Sequence, residues 1–182
     1  MADLQYPIGK LSLDPDVTPE KRMRWIADIS GAPGLFRTAV AGLTESQLDT
    51  PYRDGGWTVR QVIHHMADAH IQSLVRFRLA LTEDNPAITG YDPAKWGELP
   101  DAKTGPVAVS LDLLEAIHAR WLLLLRAMTP TQFSKTFRRP DGQEISLDRL
   151  LQTYAWHGKH HAAHITGLRE RMGWTKGACG AR

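Results

Sequence analysis

Four stretches of this chain open with helix-start signals and continue with a helical repeat of apolar residues, and no segment between them alternates as a strand would. Thr18-Pro19-Glu20 offers a capping oxygen, a proline whose missing N–H costs nothing in a first turn, and an acid beside the positive end of the helix. The helix it opens is expected to reach about Gly42, with a kink or break at Pro33-Gly34. Thr58 with Gln61 reads as a capping box for a second helix ending near Thr82. A third covers roughly Ser110 to Met128, and Ser146 caps a fourth that ends near Met172-Gly173. Each amphipathic helix must bury its stripe against another element, and four helices without a sheet do so as a bundle. The expected class is therefore all-α, a four-helix bundle.

With 182 residues the chain can build one substantial core but not two comfortable ones. Residues 1–175 are read as a single domain and 176–182 as a flexible tail. Two segments repeat a pattern. Leu43-Thr44-Glu45-Ser46-Gln47-Leu48 leads through Tyr52-Arg53 into the second helix, and Met128-Thr129-Pro130-Thr131-Gln132-Phe133 leads through Phe137-Arg138 into the fourth. Helix, capped short turn, linker, helix thus occurs twice, which predicts that helices two and four are equivalent and face one another. Residues 83–106, a long loop with Pro86, Pro93, Pro100, Tyr91 and Trp96, are expected to pack over one end of the bundle.

A formal charge of +2 and the absence of a dense Lys/Arg run argue against nucleic-acid and membrane-surface partners. No apolar run approaches the length of a membrane helix, and no secretory signal is visible. The one cysteine, Cys179, cannot close an internal disulfide, so a reducing, cytoplasmic location is expected.

Seven of the eight histidines fall in two clusters: His64, His65 and His70 in the second helix, and His157, His160, His161 and His164 in the fourth. Side chains four apart share a helical face, and two imidazoles so placed can hold one ion. The fourth helix contains two such pairs, His157/His161 and His160/His164. Its apolar stripe runs through Leu147, Leu150, Leu151, Tyr154, Ile165 and Leu168. At about 100° per residue, that stripe includes His161, carries His157 on its shoulder, and leaves His160 turned toward Trp156 and solvent. His157/His161 is the core-facing pair. In the second helix the same count places His70 near the centre of the stripe and His65 off to one side, so periodicity alone nominates His70.

Long motifs then make the chain recognisable. Tyr6-Pro7-Ile8-Gly9, the run from Leu48 through Arg53-Asp54-Gly55-Gly56-Trp57-Thr58 to Val62, His64-His65, Arg120-Trp121, the Trp156-to-His161 segment and Arg171-Met172-Gly173-Trp174 resemble the DinB/YfiT-like family, specifically its YfiT-type metal-dependent hydrolases. The resemblance covers nearly the whole chain. It implies a four-helix bundle holding one metal through a histidine of helix two and an H-x-x-x-H pair of the last helix. By motif position these fall on His65, His157 and His161, which overrules periodicity for His70.

Three imidazoles without a thiolate suit one divalent ion per chain, zinc or nickel first among them. Three protein ligands leave a coordination position open, as catalytic sites do. The resemblance implies hydrolysis of a small molecule, with transfer of a low-molecular-weight thiol as the alternative reaction and a non-catalytic metal-binding module as the alternative of another class. Asp68, Arg53, Asp54 and His118 are weaker candidates for accessory roles, and no general base is assigned. Six tryptophans and the outer side of the fourth helix allow a partner surface, and a homodimer is the expected assembly.

Overall fold

The structure is a computed structural model and describes residues 3–174. Cys179 and the tail assigned to 176–182 lie outside the described residues. Helix α1 spans Pro19–Val40, capped by Thr18, whose side chain accepts from the Lys21 amide. Pro33 lies inside it without ending it. The short α2 (Glu45–Leu48) begins with a capping box of Thr44 and Gln47, and α3 (Val59–Thr82) with one of Thr58 and Gln61. Next come two short helices, α4 (Pro93–Gly97) and α5 (Pro100–Thr104), then α6 (Val107–Ala127) and α7 (Pro130–Phe133). Strands β1 (Thr136–Arg138) and β2 (Glu144–Ser146) form an antiparallel hairpin in which Phe137 faces Ile145, and α8 (Leu147–Arg171) closes the fold.

The expected bundle is present, with an addition to the all-α class. Three-residue strands are too short for alternation to register in a sequence, and only the buried Phe137/Ile145 pair holds them against the core. The repeat has a structural counterpart. Each half runs from a long helix through a capping-box turn and an antiparallel pairing into the next long helix: Pro51 bridges Thr58 in the first half, and β1 pairs with β2 in the second.

Side-chain partners fix the direction of the four long helices. Arg22 pairs with Asp148 while Arg169 reaches the Ala39 carbonyl, so α1 and α8 run parallel. His64 meets Ser110 and His70 meets His118, so α3 and α6 are parallel too. Arg37 meets Asp112 while His118 meets Ile29, which makes α1 and α6 antiparallel. Parallel neighbours need a crossover. A helix of the 24 residues of α3 is about 36 Å long at ~1.5 Å per residue, and residues 83–106 make that return. They do not cover one end of the bundle as expected but run back beside α3. They are pinned there by Gln61 Nε2 donating to the Gly97 carbonyl (2.8 Å) and Arg60 Nη1 donating to the Gly105 carbonyl (2.9 Å).

The apolar core is divided. One part gathers Phe77, Trp121, Leu125 and Leu151; the other gathers Phe36, Val62, Leu114 and Ile165. Along α3, α6 and α8 the histidines occupy the positions between these two parts. Among the described residues no helix is long and apolar enough to cross a membrane.

Candidate metal centre

The polar layer between the two apolar clusters is built from α3, α6 and α8. His65 and His70, five residues apart on α3, meet His157 from opposite sides of its ring. His65 Nε2 lies 3.3 Å from His157 Nε2, and His70 Nε2 lies 3.2 Å from His157 Nδ1. His161, one turn on, completes the group, and one nitrogen from each of His65, His157 and His161 lies within 4.8 Å of the others. Two imidazole nitrogens bound to one ion at about 2.0–2.1 Å and a tetrahedral angle stand roughly 3.3–3.4 Å apart, and the His65–His157 separation matches this.

Hydrogen bonding decides which nitrogen His157 and His161 present. His118 Nδ1 is 2.7 Å from the Ile29 carbonyl, which can only accept, so Nδ1 carries the proton. Burial holds His118 neutral, with its pKa lowered to about 4, so its Nε2 is bare and accepts from His70 Nδ1–H at 2.8 Å. Burial first, then the charges of His157 and His118, push His70 well below its ordinary value. Its bare Nε2 accepts from His157 Nδ1–H, and His157 is left with Nε2 as its one lone pair. A second relay treats His161 alike. His164 Nε2–H donates to the Gln5 carbonyl (3.1 Å), His164 Nδ1 accepts from His161 Nδ1–H (3.3 Å), and His161 Nε2 is bare. Burial is the largest cause lowering His65 to about 4 and taking His157 and His161 well below the usual range. The group is therefore a set of neutral donors, which is what a metal requires.

The Ile29 carbonyl is free because of Pro33. In an α-helix the amide at i+4 bonds this carbonyl, and proline has no amide hydrogen. Pro33, placed at sequence level as a kink or break, instead leaves one acceptor on an unbroken helix, and His118 uses it.

A second triad, His160, His161 and His164, also has its nitrogens within 4.8 Å of one another. It shares His161, whose Nδ1–H is already engaged with His164. His160 is buried and does not face solvent as the periodicity predicts. It stacks on Trp156 at 4.1 Å and is covered by Tyr6 of the N-terminal segment, which lies over the outer face of α8. His64 stays outside the group, bonded to Ser110 Oγ and the Gly105 carbonyl.

Of the accessory candidates, His118 is part of the relay, and none of the others hydrogen-bonds an imidazole nitrogen among the described residues. Asp68 is half-buried, with its pKa raised first by burial and then by Asp101. Arg53 lies over the Tyr52 ring and lines a cavity of about 300 Å³ together with His161, His164 and Trp57, while Asp54 is exposed. His164, which lies near the shoulder of the fourth helix's apolar stripe, supports His161 from behind; sequence reasoning missed only Gln5, because its carbonyl comes from a segment with no periodic signal.

The neutral histidines make stability sensitive to acid. His118 has an unfolded value near 6.5 and a folded value of about 4, so between these pH values the unfolded chain binds a proton that the folded chain does not. Stability thus rises with pH across this window and is lost as pH falls through it, by about 1.4 kcal/mol per pH unit for one such group. Urea unfolding of the metal-free protein at pH 7, 6 and 5 should show midpoints falling at each step. A flat profile would contradict the neutral network.

Comparison with known proteins gives a consistent family. A profile of the DinB superfamily matches residues 29–165. YfiT of Bacillus subtilis is 49% identical over 174 residues, spanning 95% of this chain and 98% of its own. A Bacillus mycoides relative is also 49% identical over 174 residues, spanning 96% of this chain and 100% of its own, and carries the same metal-dependent hydrolase name. The solved structure of Bacillus subtilis YfiT, described as a probable metal-dependent hydrolase with an unusual four-helix bundle topology, superimposes with a TM-score of 0.92 over 94% of this chain and 99% of that one. TT2238, a four-helix bundle protein, shares the fold at a TM-score of 0.56 and 16% identity, covering 80% of this chain and 98% of its own.

Proposed function

The chain belongs to the DinB superfamily, and on that premise we propose that it is a metal-dependent hydrolase of a small molecule, with one divalent ion held by His65, His157 and His161. The observation that carries the reading is the convergence of three neutral imidazoles in the layer between two apolar cores, with the Nε2 atoms of His65 and His157 3.3 Å apart. The donor set fits such an ion: nitrogen only, no thiolate, with two of the rings held in register by relays that end on backbone carbonyls. Zinc and nickel suit it best. Bound there, an ion with an open position supplies Lewis acidity, activating water or polarising a carbonyl. The protein's part is to keep the imidazoles neutral, hold their rings still, and restrict bulk water.

A homodimer belongs to the same reading. Helix α6 leaves Val109, Leu113 and Leu123 exposed on one face, broken by the exposed Arg120 between Leu113 and Leu123, and a second copy would cover it.

Treatment with a chelator followed by gel filtration should remove esterase or amidase activity, and equimolar zinc or nickel should restore it. A metal-replete protein inert to ester and amide panels would overturn the hydrolase reading. Consumption of a chlorinated nitroarene only when a low-molecular-weight thiol is present would replace it with thiol transfer.

A further inference from the structure

Beside the histidine layer lies a cavity of about 550 Å³, within the range of small-molecule sites. His157 lines it, and so do Tyr154, Arg76 and Arg149. Arg139 and Asp141 stand on its rim as a loose pair 3.7 Å apart, both more than half exposed. The other two arginines contrast with the ion-paired ones. Arg22, Arg37 and Arg60 each hold carboxylates at 2.5–2.7 Å. Among the described residues neither Arg76 nor Arg149 has a carboxylate within ion-pair distance, although both are half-buried. Arg76 is nonetheless held in place: its Nη1 donates to Tyr154 Oη at 3.4 Å, and Tyr154 Oη donates to the Ala69 carbonyl at 2.8 Å. Its remaining N–H groups are left for another acceptor. Half-buried guanidinium groups without a counter-charge are costly, and their planar fork matches a carboxylate or phosphate.

We infer that this cavity is an oxyanion subsite: Arg76 and Arg149 receive a carboxylate or phosphate group of a small-molecule substrate whose reacting end lies toward His157. The orientation toward His157 rests on the hydrolase reading; the anion site itself does not.

Binding without turnover separates the two. The metal-loaded protein is titrated by calorimetry with phenylphosphonate, with 3-phenylpropionate and with the uncharged 3-phenylpropionamide. Both anions should bind at least about tenfold tighter than the amide, and the stronger of the two identifies whether phosphate or carboxylate is preferred. Arg149→Gln, which removes no side-chain partner within the described residues, and Arg76→Gln should each weaken anion binding by about tenfold. Arg126→Gln, an exposed arginine away from this cavity, should leave it unchanged. Binding should persist within a few-fold in the metal-free His161→Ala protein. Equal affinity for the amide, no effect of Arg149→Gln, or anion binding that disappears with the metal would each overturn the subsite. Failure of the hydrolysis panels while these arginine effects hold would overturn the reaction and leave the subsite standing.

Discussion

His161→Ala, purified with zinc or nickel and passed through gel filtration, should retain essentially no ion, and His157→Ala and His65→Ala should behave alike. Each substitution removes one of three converging nitrogens, and losing a ligand should exceed the roughly 10–100-fold typical of losing a supporting hydrogen bond. His161 belongs to both histidine triads, so its loss alone does not say which one binds. His160→Ala does: it should keep about one ion per chain, because the His160 ring stacks on Trp156 and its Nδ1 has no partner in the network. All four variants should fold, since the two apolar clusters contain none of these residues. Metal analysis with melting temperatures checks this. Metal lost from His160→Ala and kept in His157→Ala would place the ion in the His160–His161–His164 triad instead.

The parts legible in the sequence were those set by local chemistry. Thr18, Thr58 and Ser146 marked helix starts to within a residue, because a capping oxygen and the amides it satisfies lie within one turn. The pairing of His157 with His161 followed from helical geometry alone. What could not be read depends on contacts distant in sequence. Nothing local says that α3 and α6 are parallel, so residues 83–106 looked like a cover for one end when they are the crossover that parallel neighbours require. His160 looked solvent-facing because the segment that buries it, around Tyr6, carries no periodicity. Periodicity and family motif disagreed over His70 and His65, and both had physical content: His70 is fully buried and orients His157 through Nδ1, while His65 meets it at Nε2.

That arrangement sets the last expectation. His70→Ala should still bind one ion per chain but some 10–100-fold more weakly, because His157 loses the acceptor that fixes its Nδ1–H tautomer. It should also lower stability by about 1–3 kcal/mol, through the lost packing and the buried nitrogens left unpaired on His157 and His118. A structural role alone would give the second effect without the first, so the two must be separated. His70→Gln has an amide that can both accept from His157 and donate to His118, and should recover most of the affinity. Pro33→Ala separates them from the other end. It restores an amide that competes with His118 for the Ile29 carbonyl, and as a proline-to-alanine change within a helix it tends to stabilise. Metal affinity should fall in Pro33→Ala without a fall in melting temperature, and imidazole nitrogen NMR should show His157 losing its single Nδ1–H tautomer. Chelator competition on the three variants supplies the affinities. Wild-type affinity in His70→Ala would remove the relay from the metal site, and ion loss from His70→Ala with retention in His65→Ala would exchange their roles.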